Sequence, residues 1–128
     1  MVKEFVVSLE NKPGTLFRVA DALGRQNVNI TAFACEAVGD FGFVRMITSD
    51  ETKTERILAD NKFSFRSVDV LPVTMRNHPG ELARIASRLA ESQVNIESAF
   101  GTAPTTSGDV TLYFKTSDTA KAKKALGL

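Results

Sequence analysis

Cysteine is nearly missing from this chain. Cys35 stands alone in 128 residues, so no internal disulfide can form and no CxxC pair is available for zinc or redox chemistry. A reducing, cytoplasmic location is the expectation. Histidine is as scarce: His78 is the only one, which removes a histidine pair as a metal site. Neither sign of charge is in excess, with 16 basic and 15 acidic side chains and a net charge of +1. That balance argues against nucleic acid and against an anionic membrane surface as partners. No apolar run approaches the roughly 20 residues needed to cross a bilayer. Met1-Val2-Lys3-Glu4-Phe5 lacks the apolar core of a signal peptide. GxSxG, HExxH and GxxxxGK[S/T] are all absent. No catalytic residue, metal or cofactor is expected, and the chain reads as a non-enzyme. Glu51 with Glu55, and Glu91 with Glu97, read as solvated charges. Cys35, late in a strand, reads as a small buried hydrophobe, and His78 as an exposed turn residue.

The chain is 43% hydrophobic, enough for one ordinary domain or two very small ones. Self-comparison favours two. Asn11-Lys12-Pro13-Gly14 recurs as Asn77-His78-Pro79-Gly80, an offset of 77 − 11 = 66. Leu16, Arg18, Ala20 and Leu23 match Leu82, Arg84, Ala86 and Leu89, and Val28-Asn29-Ile30 matches Val94-Asn95-Ile96. Residues 11–30 and 77–96 thus share 10 of 20 positions without a gap, where chance gives about one or two. The expected units are 1–69 and 70–128. Modules this small bury little core alone and are expected to pack together or dimerise.

Each unit reads β-α-β-β-α-β. Phe5, Val7 and Leu9 alternate with polar residues over 4–10 as a half-buried strand does. Leu16, Val19, Ala20 and Leu23, repeated as Leu82, Ile85, Ala86 and Leu89, form a helical stripe. Further strands are expected at 28–35, 43–48, 63–68, 70–75, 94–100 and 110–115, with a hairpin at Gly39-Asp40. Helices are expected at 51–61 and 118–126, and 101–109 reads as a mobile loop. The fold class that follows is α+β: two tandem ferredoxin-like βαββαβ units. The counterpart of Phe63 would be residue 63 + 66 = 129, so the second unit lacks its last strand. The open edge is expected to take a strand from 63–75, from the other unit or from a partner chain.

The turn is the distinctive feature. Asn11 and Asn77 can cap a helix start or form an Asx turn. Pro13 and Pro79 suit a first helical turn, and Gly14 and Gly80 permit close approach by another group. Bare amides and the positive end of a helix dipole make a seat for a carboxylate. Asn29 and Asn95, between apolar neighbours at the opening of the second strand, donate and accept at once. An ammonium and a carboxylate together require that.

Asn-x-Pro-Gly-x-Leu, an amphipathic helix and Val-Asn-Ile together resemble the ACT domain, a small regulatory module of amino-acid metabolism. Both copies match, so the resemblance covers the whole chain apart from the missing strand. It is similar to stand-alone tandem ACT proteins, which carry no catalytic domain. The resemblance implies an amino-acid ligand at an interface between units, held by the turn of one unit and the second strand of its neighbour, with sheets paired side by side. Carried onto this chain, the ligand-binding set is Asn11, Lys12, Pro13, Gly14, Thr15, Leu16, Asn29 and Ile30. The second set is Asn77, His78, Pro79, Gly80, Glu81, Leu82, Asn95 and Ile96. Serine-binding members have a histidine two residues before the turn Asn. Here those positions are Leu9 and Met75, an apolar wall suited to a hydrophobic side chain. A homodimer is expected, with a regulated enzyme or transcription regulator as a further partner.

An RNA-recognition motif has the same strand order. Phe41-Gly42-Phe43-Val44-Arg45-Met46 resembles its aromatic third strand, but the leading basic residue and glycine are absent and Met46 replaces the last aromatic. RNA binding is therefore the weaker expectation.

Overall fold

The computed structural model describes residues 1–102 and 108–128. In chain order the elements are β1 (Val2–Glu10), α1 (Thr15–Gly24), β2 (Ile30–Val38), β3 (Phe41–Thr48), α2 (Glu51–Asp60) and β4 (Ser64–Arg76). They continue with α3 (Glu81–Glu91), β5 (Ile96–Thr102), β6 (Asp109–Thr116) and α4 (Thr119–Leu126). The fold is α+β and repeats the ferredoxin-like order. The chain divides into two compact units, Lys3–Val68 and Asp69–Leu128, the latter joined by Met1–Val2.

In the first unit the strand order is β2-β3-β1-β4. β1 runs antiparallel to β3, with Phe5 opposite Met46 and Glu10 opposite Phe41. Alternation sends Phe5, Val7, Val44 and Met46 to the helix side, where they meet Val19 and Leu23 of α1 and Ile57 and Leu58 of α2. In the second unit the order is β4-β6-β5. Leu71, Val73 and Met75 pack there with Ile85, Leu89, Phe114 and Leu126. Among the described residues no strand follows α4, so the second unit as described reads βαββα.

The four helices among the described residues end alike. Residues 27, 62, 93 and 127 take positive φ, and the following amide reaches back to the helix, as in Val28 N–H to Leu23 O at 3.0 Å and Val94 N–H to Leu89 O at 2.8 Å. These are Schellman ends. Only the last uses glycine; Asn27, Lys62 and Gln93 hold the left-handed conformation with a side chain.

Three expectations change. The strands read separately at 63–68 and 70–75 are one strand, β4, because Val68 and Asp69 continue it without a turn residue. Cys35 is exposed, not buried: β2 is the edge strand of its unit, and an edge strand has a neighbouring strand on one side only. Of the loop expected at 101–109, Gly101 and Thr102 belong to β5 and Asp109 to β6; residues 103–107 lie outside the described residues. No helix among those described is long and apolar enough to cross a membrane.

Candidate functional site

The two turns leading into α1 and α3 are built the same way. Asn11 is fastened where β1 ends: its N–H donates to Asp40 O at 2.8 Å and its Nδ2 donates to Gly39 O at 2.8 Å. Asn77 N–H likewise donates to Gly108 O at 2.6 Å. Gly14 has φ 93° and ψ −11°, and Gly80 has φ 90° and ψ −11°. Those angles, after a proline, are the third position of a type II turn. Glu81 N–H closes the second turn on His78 O at 3.3 Å. A Cβ at either glycine would meet nothing within 4 Å. Glycine is there for its conformation, and the space beside it is open.

The asparagines therefore do not cap the helices, because the glycines stand at the cap positions and no side chain bonds the first-turn amides. Pro13 and Pro79 likewise precede their helices instead of occupying the first turn, since the type II turn claims them. The first amides of α1, at Thr15, Leu16 and Phe17, and those of Leu82 and Ala83 in α3, have no acceptor among the described residues. The other two helices differ. Asp50 accepts from Lys53 N–H at 3.0 Å and Asp118 accepts from Lys121 N–H at 3.0 Å, the usual carboxylate N-cap. This chain caps α2 and α4 by side chain and leaves the repeated turn uncapped twice.

Asn29 and Asn95 precede β2 and β5 by one residue. Asn29 N–H donates to Ser49 Oγ at 2.9 Å and its carbonyl accepts from Ser49 N–H at 2.9 Å. Ser117 clamps Asn95 at the same two distances. Both carboxamides are exposed and unbonded among the described residues. Within one unit the turn and this asparagine are far apart. Asn11 bonds Asp40 before β3 and Asn29 bonds Ser49 after it, a separation of about 30 Å at roughly 3.3 Å per strand residue. A single unit does not bring its own Asn29 to its own turn.

Lining and charge separate the turns. Beside the second lies a cavity of about 350 Å³ bounded by Met75, Arg76, Asn77, His78, Glu81, Leu82, Gly101, Thr102, Val110 and Leu112. Beside the first the hollow is about 180 Å³, with Ser8, Leu9, Glu10, Lys12, Thr15, Arg18, Lys62, Phe63 and Ser64 around it. There Lys12 Nζ is paired to Glu10 at 3.0 Å, and Thr15 Oγ1 donates to Glu10 O at 2.9 Å and lies 3.1 Å from Lys12 O. In the second turn Glu81 is held by Arg84 through two contacts of 3.0 and 3.2 Å, while the Arg76 guanidinium has no partner among the described residues. Leu16 and Ile30 line a separate apolar groove of about 150 Å³ with Phe33 and Met46.

Sequence reasoning missed Arg76, Gly101, Thr102, Val110 and Leu112. The strand pairing that gathers them, Met75 opposite Val110 and Leu112 between Val73 and Gly101, carries a legible signal in the alternation Val110, Leu112, Phe114. The aromatic strand-three residues are differently placed: the Arg45 guanidinium sits 5.1 Å from the Phe43 ring centroid and pairs with Glu4 at 3.0 Å. Among the described residues no group of three or more His, Cys, Asp or Glu is placed to hold a metal.

Comparison with known proteins agrees with the fold. The family described as ACT domain pair matches residues 1–127. The crystal structure of protein BT0572 from Bacteroides thetaiotaomicron is similar at 31% identity and a TM-score of 0.92, over 98% of this chain and 86% of that one. Two further solved structures share the fold. One, of aspartokinase alpha and beta subunits, has 23% identity and a TM-score of 0.65, over 98% of this chain and 93% of that one. The other, the ligand-free regulatory subunit of aspartate kinase from Thermus thermophilus, has 14% identity and a TM-score of 0.68, over 98% and 87%. No curated protein matches the chain.

Proposed function

This chain belongs to the ACT domain pair family, and we propose that it is a non-catalytic regulatory protein that binds a free amino acid at its glycine-capped turns. The observation that carries this reading is the contrast between helix starts. α2 and α4 have aspartate caps, whereas α1 and α3 present bare amides beside open space. A carboxylate supplies the missing acceptors, and a facing carboxamide suits the remaining polar groups of a zwitterion.

Because Asn29 lies at the far end of its own unit, its part in the site requires a second copy of the chain. β2 is an edge strand whose nine residues include no lysine, arginine or proline, so nothing in it blocks antiparallel strand addition. Two β2 strands running in opposite directions would carry Asn29 of one copy toward the turn of the other. The functional unit in this reading is a homodimer.

The test is a thermal-shift screen of the purified chain against the twenty amino acids, with light scattering on the complex. At least one amino acid raises Tm, because ligand that binds only the folded state stabilises it. A flat response to all twenty overturns the reading. A strict monomer with ligand bound removes the two-copy arrangement.

A second reading adds a protein partner: a regulatory subunit acting in trans on an enzyme or a transcription regulator. Phe17, Phe33 and Phe41, at 68%, 56% and 69% exposure, favour it, since exposed aromatics in one unit suit a protein interface. Pull-down with and without the amino acid found in the screen tests it; ligand-independent absence of any stoichiometric partner counts against it.

A further inference from the structure

We propose that the tip of the β2–β3 hairpin is a docking surface for a protein partner, and that the partner presents a segment of mixed cationic and apolar side chains. This rests on the second reading above, in which a protein partner is regulated, and gives that partner a place and a chemistry. It stands whether or not the turns hold an amino acid.

The apolar part follows from the strand register. Val44 and Met46 point to the helices, so Phe41 and Phe43 point to the opposite, helix-free face of the sheet. Val38 stands opposite Phe41 across the hairpin. Val38 and Phe41 are 73% and 69% exposed, and with Gly42 and Phe43 they bound a hollow of about 180 Å³. Single exposed apolar residues are ordinary, but a contiguous group around a hollow marks an interaction surface. The tip is also held in place. Asn11 donates to it twice, from N–H to Asp40 O and from Nδ2 to Gly39 O, each at 2.8 Å. A surface already fixed loses less freedom when a partner docks.

The charge around this group has one sign. Glu36 stands opposite Phe43, Glu10 stands opposite Phe41, and Asp40 lies in the turn itself. Lys12 pairs with Glu10 at 3.0 Å. Arg45, whose guanidinium sits 5.1 Å from the Phe43 ring centroid, is paired with Glu4. Glu36 and Asp40 make no ion pair among the described residues, so two carboxylates are left over at the rim. Cationic side chains flanking an apolar one complement that pattern, and rim charges of this kind steer and select partners. Two other occupants fit it poorly. A second copy on this face would set the same carboxylates against these across a two-fold axis. RNA, which the Phe41-Gly42-Phe43-Val44-Arg45-Met46 stretch resembles a reader of, would bring phosphates against them, with Arg45 already neutralised by Glu4.

Fluorescence anisotropy of the full chain with two labelled peptides tests the assignment. One peptide alternates lysine and leucine over seven residues; the other has glutamate in place of lysine. The lysine peptide binds at least tenfold tighter than the glutamate peptide. Phe41→Ser weakens it tenfold or more, and Glu36→Lys combined with Asp40→Asn removes the preference for lysine. These side chains are exposed, so the Tm of each variant stays that of wild type. Equal binding of the two peptides, no binding of the lysine peptide, or indifference to Phe41→Ser overturns the inference. So does a uridine-rich RNA that binds through Phe41, or a dimer that Phe41→Ser dissociates, since either gives the surface a different occupant. A partner that the pull-down still captures with Phe41→Ser removes the hairpin but leaves the second reading standing. Absence of any stoichiometric partner strikes that reading instead.

Discussion

Asn11 Nδ2 donates to the carbonyl of Gly39 at 2.8 Å, across 28 residues of sequence. That bond ties the turn before α1 to the β2–β3 hairpin, so the turn is supported by its own unit and not by the helix it precedes. Its counterpart, Asn77, keeps the backbone bond to Gly108 but makes no side-chain bond among the described residues. The repeat therefore predicts unequal effects. Asn11→Ala should cost about 1 kcal/mol, the usual net value of a hydrogen bond. Asn77→Ala should stay within about 0.5 kcal/mol of wild type, as other surface substitutions do. Denaturant titration of the two variants checks the asymmetry; equal losses would contradict it.

Gly14 and Gly80 are restricted by φ alone, with open space around the missing Cβ. Alanine at either site should destabilise by about 1–2 kcal/mol, the cost of a left-handed conformation for an L-residue. The fold should survive, because no clash accompanies the strain. Far-UV circular dichroism and urea titration measure both parts. In the same variants the first-turn amides shift as the turn relaxes, and ligand affinity should fall by more than the stability does.

Glu4 is fully buried, and one oxygen accepts from the Arg45 guanidinium at 3.0 Å while the other has no partner among the described residues. Such a pair resists the loss of one member far more than the loss of both, since a lone buried charge keeps its desolvation penalty. Arg45→Met should cost about 3–5 kcal/mol. Adding Glu4→Gln to that variant should recover a large part of the loss. A double-mutant cycle by urea unfolding gives the coupling; strictly additive effects would show that the ion pair carries none of the cost.

Gln93 ends α3 at φ 56°, with its N–H on Ala90 O at 2.9 Å. Glycine adopts that conformation freely but loses more entropy on folding. Gln93→Gly should therefore raise stability by about 0.5–1 kcal/mol, the balance of the two terms. Lys62→Gly should do the same at the end of α2, where φ is 60°. Thermal melts decide it: a lowered Tm in both would mean that the lost side chains contribute more than the relieved strain.

Much of this architecture was legible because its signals are local. The stripe Leu16, Val19, Ala20 and Leu23 and its copy set both helices, and Pro-Gly marked both turns. The roles inside the turn were less legible, because an asparagine two residues before a proline reads as a cap, and its real partner, Gly39, is distant in sequence. Cys35 misled for a related reason: its strand alternates apolar residues as a central strand does, yet lies at an edge. The Arg76 side of the second cavity depends on strand pairing between residues more than 30 apart, which no periodicity records.

Asn29 offers the cleanest separation of structure from ligand. Its backbone is held by Ser49 through two bonds of 2.9 Å, and neither involves the side chain. Asn95 stands in the same relation to Ser117. Both carboxamides are exposed, so Asn29→Ala and Asn95→Ala should leave the ligand-free Tm unchanged to within about 0.5 kcal/mol. If a carboxamide from a second copy completes the site, the same substitutions weaken the amino acid by about 1–3 kcal/mol, the cost of leaving a desolvated polar group without its partner. Serine variants at positions 49 and 117 behave in the opposite way: Ser49→Ala and Ser117→Ala lose a backbone clamp and lower Tm with or without ligand. Measuring all four variants by thermal shift, with and without the amino acid from the screen, distinguishes a residue kept for binding from one kept for the fold. A Tm loss in Asn29→Ala as large as that in Ser49→Ala would assign the asparagine to the fold.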